Sequence, residues 1–124
     1  MQSVFGSLPL KVKVIDFNYD ISTTGSLAIT GVGFKPKTVI LFGCIDASAV
    51  AYCWGLSDGT AEADMINMPG YNWTVYSNVS RLYTGAGVFA QLSVASFDAD
   101  GLTFTKAKTG LPTGTGYFYA LLLG

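Results

Sequence analysis

The stretch that decides the fold is Thr38–Ile45, which reads Thr-Val-Ile-Leu-Phe-Gly-Cys-Ile. It is one of several short runs of aliphatic and aromatic residues, and no window of the chain sustains the apolar spacing of an amphipathic helix. Because apolar residues occupy both faces, the pattern predicts a central strand that is covered on each side. The next run, Val50–Leu56, alternates large residues with Ala51, Cys53 and Gly55, which predicts close packing against the small-residue face.

Two further strands are predicted before this stretch. In the first, the apolar positions change phase between Val14 and Ile15, as they would at a β-bulge or where a strand passes between sheets. The second is Thr24–Thr30, with Leu27 and Ile29 facing inward.

The rest of the chain continues the same short-strand pattern. Strands are predicted at Trp73–Ser77, Ser80–Tyr83, Val88–Phe97, Leu102–Lys106 and Tyr117–Leu123. Ser57–Gly70 is predicted to be the one long loop, and Asp98–Gly101 a sharp hairpin turn. Eight or nine short strands at regular spacing predict an all-β fold, an antiparallel two-sheet sandwich resembling a jelly roll, with residues 1–124 forming a single domain.

The composition is unusual for a domain of this kind. Half of the 124 residues are hydrophobic and only 12% are charged, about half the charged fraction of ordinary soluble domains. A monomer of this composition would expose much uncharged surface to water and would stick to its neighbours. We therefore expect other subunits to cover much of the surface.

The same composition argues against several functional classes. The net charge is −1 and the seven Lys and Arg residues are scattered, so we expect no nucleic-acid partner. The apolar runs are far shorter than the roughly 18 residues that span a membrane. The chain has no histidine, which removes the usual catalytic triads and the commonest zinc ligand. We expect no enzymatic activity, catalytic residue, cofactor, metal or small-molecule substrate.

One acidic segment deserves separate consideration as a cation site. Asp58, Thr60, Glu62 and Asp64 alternate within the predicted loop, so their oxygens could converge on a calcium ion. The spacing lacks the glycine and the terminal glutamate of a standard calcium loop, which favours a solvated or subunit-facing acidic loop. A glycosidase pair is disfavoured, because a catalytic acid needs a rigid and partly desolvated position.

Two apolar groups are candidates for a subunit interface. The aromatic residues Tyr71, Trp73, Tyr76 and Tyr83 fit three interpretations: sandwich core, subunit contact or a platform for carbohydrate. The N-terminal residues 1–9 contain Val4, Phe5 and Leu8 and would either fray or lie as an arm on a neighbouring subunit. The scarcity of charge elsewhere favours the arm.

The two cysteines, Cys44 and Cys53, lie on predicted neighbouring strands. The first residues show no signal-peptide pattern, so we expect assembly in a cytoplasm, where reducing conditions disfavour a disulfide. Buried free thiols are therefore the expected state.

Three segments together resemble a known family. The first is Ile29–Gly43, in which the turn Gly33-Phe34-Lys35-Pro36-Lys37 leads into the apolar strand. The second is the hairpin Ser96–Thr103 with its Asp-Gly turn, and the third is the closing apolar strand Tyr117–Gly124. Their order and character resemble those of small virion proteins of tailed bacteriophages and prophages.

The resemblance implies a virion structural protein with a β-sandwich fold. The expected function is that of a capsid decoration, or cement, protein that bridges and stabilises major capsid subunits, and the expected location is the virion. The implied partners are other virion proteins, with the major capsid protein favoured, and further copies of the chain in a homo-oligomer such as a trimer. The alternative is a tail or tail-fibre component that binds host surface carbohydrate.

Overall fold

The computed structural model describes residues 10–45, 51–67 and 74–124. Those residues form ten β-strands and no helix. The strands are β1 (Val12–Asp20), β2 (Gly25–Ile29), β3 (Thr38–Ile45), β4 (Tyr52–Ser57), β5 (Glu62–Asn67), β6 (Thr74–Tyr76), β7 (Ser80–Gly85), β8 (Val88–Asp98), β9 (Gly101–Thr109) and β10 (Thr115–Leu123).

The strands form two antiparallel sheets that pack face to face. The first sheet has the order β1-β10-β3-β4-β5-β6 and the second the order β2-β9-β8-β7. The prediction of an all-β, two-sheet antiparallel sandwich is confirmed. Two pairings, β1 with β10 and β2 with β9, join distant parts of the chain as in a jelly roll, while β3 to β6 and β7 to β9 are meanders.

The core lies between the two sheets. From the first sheet, Leu41 and Phe118 are almost fully buried, and from the second sheet Leu92 and Phe104 are buried to the same degree. The ring of Phe17 on β1 connects the layers, since it stacks on Phe104 at 5.5 Å and on Phe118 at 5.0 Å between centroids. The predicted inward residues of β2 also pack against this core.

Small residues let the sheets approach closely, as the alternation in β4 predicts. A Cβ atom placed on Gly55 would lie 2.0 Å from the carbonyl oxygen of Val79, so no larger residue fits there without a backbone shift. A Cβ atom on Gly43 would likewise clash with the ring of Phe118. Gly55 therefore lets the two layers approach closely, and Gly43 leaves room for the Phe118 ring of the neighbouring strand in the same sheet.

Two sequence-based expectations about the strands are wrong. The predicted loop Ser57–Gly70 contains β5, which pairs with β4 and β6, because sheet pairing overrides the loop-like composition of this segment. The change of phase at Val14 is neither a bulge nor a passage between sheets. The strand β1 keeps an unbroken register with β10, and its apolar residues simply occupy the outer face first and the inner face later.

The three segments that carry the family resemblance meet at one end of the sandwich. The carboxylate of Asp100, in the β8–β9 turn, accepts hydrogen bonds from the backbone N–H groups of Gly31 (3.0 Å) and Gly33 (2.6 Å). The backbone N–H of Lys37, just before β3, donates to the carbonyl oxygen of Leu123 at the end of β10 (2.7 Å). The segments thus support one another as structural turns.

Candidate functional site

The outer side of the six-stranded sheet is an apolar surface open to solvent. Side chains alternate along each strand, so one set faces the core and the other faces outward. Tyr119 and Val14 each retain 65% of their accessible surface, and Phe42 retains 53%. We call this surface the open face. Its described members are Val12, Val14, Asp16 and Asn18 of β1, Tyr117, Tyr119, Leu121 and Leu123 of β10, Thr38, Ile40, Phe42 and Cys44 of β3, Tyr52, Trp54 and Leu56 of β4, and Ala63 and Met65 of β5.

The strand register arranges these residues in rows across the sheet. The middle row crosses five strands in the order Asp16, Tyr119, Phe42, Trp54 and Met65. The rings of Phe42 and Trp54 lie 6.3 Å apart and within 15° of parallel. This row places aromatic groups side by side at the centre of the open face.

The rows on either side differ in character. One is aliphatic and consists of Val14, Leu121, Ile40, Leu56 and Ala63. The other is mixed and consists of Asn18, Tyr117, Cys44 and Tyr52. Cross-strand neighbours on one face lie within about 5.5 Å of each other, so the rows form a continuous apolar patch.

Charge is nearly absent from the open face. Among its described members there is no lysine or arginine, and the one carboxylate is Asp16 on the edge strand β1. The patch therefore has an apolar centre with a polar group at its margin, which is the usual arrangement of a protein–protein interface.

The outer side of the four-stranded sheet provides an internal comparison. One row there consists of Ser26, Thr105 and Ser93, and Gln91 lies opposite Arg81 in the neighbouring pair. A polar outer face is typical of an antiparallel sheet that meets water. A further row there carries the half-buried rings of Tyr83 and Phe89, 4.8 Å apart, so the two outer surfaces of the described chain differ mainly in how many large apolar side chains are exposed.

Among the described residues, no element covers the outer side of β3, whereas the sequence predicts a cover on both sides. The strand is central in the sheet, between β10 and β4, and its inner residues Val39 and Leu41 are fully buried. Its outer residue Phe42 is exposed. The two-sided apolar pattern reflects one face packed in the core and a second face left open.

The two cysteines lie on opposite faces of the first sheet, and both are free thiols. Cys53 is buried, which raises the pKa of its thiol to about 11, whereas Cys44 is exposed on the open face. The expectation of free thiols is confirmed, and the expectation that both are buried is wrong for Cys44.

The interface residues predicted from the sequence lie away from the open face or outside the described residues. Val4, Phe5, Leu8, Tyr71 and Trp73 belong to the latter group. Tyr76 and Tyr83 are half-buried, and their hydroxyl groups lie 3.3 Å apart.

These two tyrosines belong to a cluster around Arg81. The Arg81 guanidinium lies 3.9 Å from the centroid of the Tyr76 ring and 4.4 Å from that of Phe89, and it donates hydrogen bonds to Asn78 and Gln91. Both tyrosines also pack against the core. Their contacts are those of a structural cluster within one chain.

The acidic residues considered for calcium point to three different places. The Asp58 carboxylate accepts hydrogen bonds from the N–H groups of Thr60 and Ala61 within its own turn. The Glu62 carboxylate accepts one from the N–H of Val94 at 2.8 Å. Asp64 faces inward and is 1% exposed. No group of three acidic or cysteine side chains in the described ranges is placed to hold a metal ion.

Asp64 is the most perturbed carboxyl group of the described chain. Desolvation raises its pKa to about 7, and the nearby positive charge of Arg81 opposes that rise only in part. Neither carboxyl oxygen has a hydrogen-bond partner, and the buried Nε of Arg81 also lacks one. Asp64 belongs to β5, and its side chain lies on the inner side of the sheet, opposite the open face.

Sequence reasoning missed the open face, although a signal for it existed. Both the inner and the outer sides of β3 and β10 carry mostly apolar residues. The strand β1 also has two apolar residues, Val12 and Val14, on its outer side. A sheet strand with two apolar sides needs a cover on each. Among the described residues, only the inner side of these strands is covered by a second layer.

Comparison with known proteins finds no matching family model, no matching curated protein and no matching solved structure. The described part of the chain contains no helix that is long and apolar enough to cross a membrane.

Proposed function

We propose that this chain is a structural subunit of a larger protein assembly and that the open face is where neighbouring subunits contact it. The observation that carries the proposal is the contrast between the two outer surfaces of the sandwich. Phe42, Tyr119 and Leu56 are exposed on one of them, while the other carries serine, threonine and glutamine together with the half-buried rings of Tyr83 and Phe89. Large contiguous apolar patches on a folded chain mark interaction surfaces.

The specific assembly that we propose is a tailed-bacteriophage virion, in which the chain acts as a capsid decoration protein. The family resemblance of the three turn and strand segments supports this choice. A cement protein stabilises a shell by adding many moderate contacts between adjacent subunits, and the summed free energy opposes disruption of the shell. Such a role needs a rigid, stable module with an apolar contact surface and requires no catalytic group.

The test of this proposal is a count of copies on purified particles, combined with their position. Quantitative mass spectrometry of virions is expected to give hundreds of copies per particle, and electron microscopy is expected to locate them on the capsid shell. A few copies per particle, located at the tail, would contradict the decoration role.

The second candidate is a tail component that binds carbohydrate, and the exposed aromatic row of the open face favours it. Sugar rings stack on aromatic side chains such as Trp54. The open face offers few polar groups to orient a sugar, since Asp16 and Asn18 lie only on its margin. Binding to a broad glycan array that Trp54→Ala abolishes would support this candidate, and absence of binding would remove it.

A further inference from the structure

We propose that the occupant of the open face is a second copy of this chain, so that the two six-stranded sheets pack face to face across a two-fold axis. This inference rests on the proposed function as an assembly subunit and specifies the first contact that builds the assembly. It leaves the polar outer side of the four-stranded sheet and the loop ends for contacts with other virion proteins.

The chemistry of the open face selects an apolar and uncharged partner surface. It carries no lysine or arginine among its described residues, so a partner with an acidic surface would find no counter-charge. Its central residues, Phe42 and Trp54, offer mainly stacking and dispersion contacts, and the indole N–H of Trp54 is the one hydrogen-bond donor that their side chains supply. A second copy of the chain presents the same apolar and uncharged surface, and it is available wherever the chain itself is present.

The size of the open face is of the order that a stable dimer needs. The open face is five strands wide, with about 4.8 Å between strands, and about seven residues long, at about 3.4 Å per residue. Its projected area is therefore on the order of 600 Å². The accessible surface of side chains that stand up from the sheet exceeds this projection. Standard stable interfaces bury about 800 Å² per partner.

Sheet packing supplies the geometry. Two sheets pack face to face about 10 Å apart with their strands roughly aligned, as they do inside a β-sandwich. The dimer would then have four layers, with a second apolar core formed between the two copies.

The position of Asp16 fixes the direction of the two-fold axis. If the axis ran across the strands, the Asp16 carboxylates of the two copies would face each other at the end of the middle row, and like charges there would repel. If the axis instead runs parallel to β3, Asp16 of one copy lies opposite β5 of the other copy. Both Asp16 carboxylates then lie at the margin of the interface, apart from each other. The second arrangement places Phe42 of one copy against Phe42 of the other.

The test uses the isolated full-length protein and two variants. Sedimentation equilibrium is expected to show a dimer at micromolar concentration. Phe42→Asp places a charge at the centre of the interface on a side chain that is exposed in the single chain, so the fold is retained while the dimer weakens by about 100-fold. Asp16→Lys, at the margin, is the matched control and is expected to change the dissociation constant by less than about threefold.

Cys44 provides an independent readout, because it lies on the open face whereas Cys53 is buried. A thiol reagent is expected to label Cys44 slowly in the dimer and rapidly in Phe42→Asp, with circular dichroism showing that both proteins are folded. A monomer with rapidly labelled Cys44 would overturn the inference, and so would a trimer, because a two-fold contact does not generate one.

Two further outcomes separate this inference from the proposed function. A full-length monomer in which Cys44 is protected, and becomes reactive when residues 1–9 are deleted, would show that the chain covers its own face and would overturn the inference. An isolated monomer whose Cys44 becomes protected only on purified virions would also overturn the inference but would leave the structural role in place. Reactive Cys44 in both preparations would count against both.

Discussion

At the scale of single residues, Asp64 gives the molecule a measurable response to pH. Its carboxyl group is buried without a hydrogen-bond donor, and burial raises its pKa to about 7 from an ordinary value near 4. The folded chain therefore keeps a proton that the unfolded chain loses between about pH 4 and pH 7. The contribution of Asp64 to stability is therefore greatest below this range, falls as the pH rises through about 7, and then levels off.

The prediction is that the free energy of unfolding falls by about 4 kcal/mol between pH 4 and pH 8, since three pKa units correspond to that amount. The chain has no histidine, so no other side chain of ordinary pKa titrates in most of this window. Denaturant unfolding at a series of pH values measures the effect.

The variant Asp64→Asn tests the assignment of this pH response. Because asparagine has no charge to desolvate, we expect higher stability at pH 8 and a nearly flat profile between pH 5 and pH 8. Asp16→Asn, on the exposed margin, is the control and should keep the wild-type profile. If Asp64→Asn retained the wild-type slope, the titrating group would have to be a different one.

The Glu62 carboxylate makes a contact of a different kind, because it joins the two sheets. The register of β8 against β9 shifts between Val94 and Ser96, and the Val94 N–H donates to the Glu62 carboxylate on the opposite sheet. Glu62 thereby satisfies a donor that the irregular strand presents to it.

We expect Glu62→Ala to reduce the free energy of unfolding by about 1–3 kcal/mol, because the donor loses its charged acceptor. Glu62→Gln keeps an acceptor oxygen and should lose less. Amide hydrogen exchange at Val94 should accelerate in the alanine variant. Unchanged exchange and stability would mean that water replaces the carboxylate without cost.

At the scale of elements, the sequence predicted most strands but misjudged what lies on each side of them. Short apolar runs and turn residues located β2, β3, β8, β9 and β10 closely. The strand β5 was missed because it contains Glu62 and Asp64, and its pairing with β4 and β6 is a long-range property that local composition does not contain.

The open face illustrates the same limit. The two-sided apolar pattern of β3 was recognised, but the sequence alone does not say whether the second cover is a layer of the same chain or another molecule. The sheet order shows that no strand of the described chain lies outside β3. Of the four aromatic residues considered as an interface, Tyr76 and Tyr83 contact the Arg81 cluster and the core, and their part in an interface stays a prediction.

At the scale of the whole molecule, the low charge and the open face are two aspects of one property. Only 12% of the residues are charged, so few charged side chains are available for a solvated surface. Nearly all the described ones lie away from the open face. A domain built in this way is expected to be stable as part of an assembly and prone to associate when alone.

The measurement that tests this account most directly is oxidative footprinting of the native assembled protein, with each residue read by mass spectrometry. Phe42, Trp54 and Tyr119 on the open face are compared with Leu111, which is 82% exposed and lies outside that face. The account predicts that the three aromatic residues are strongly protected while Leu111 reacts freely. Oxidation of the three at the rates that their exposure in a single chain implies would contradict it.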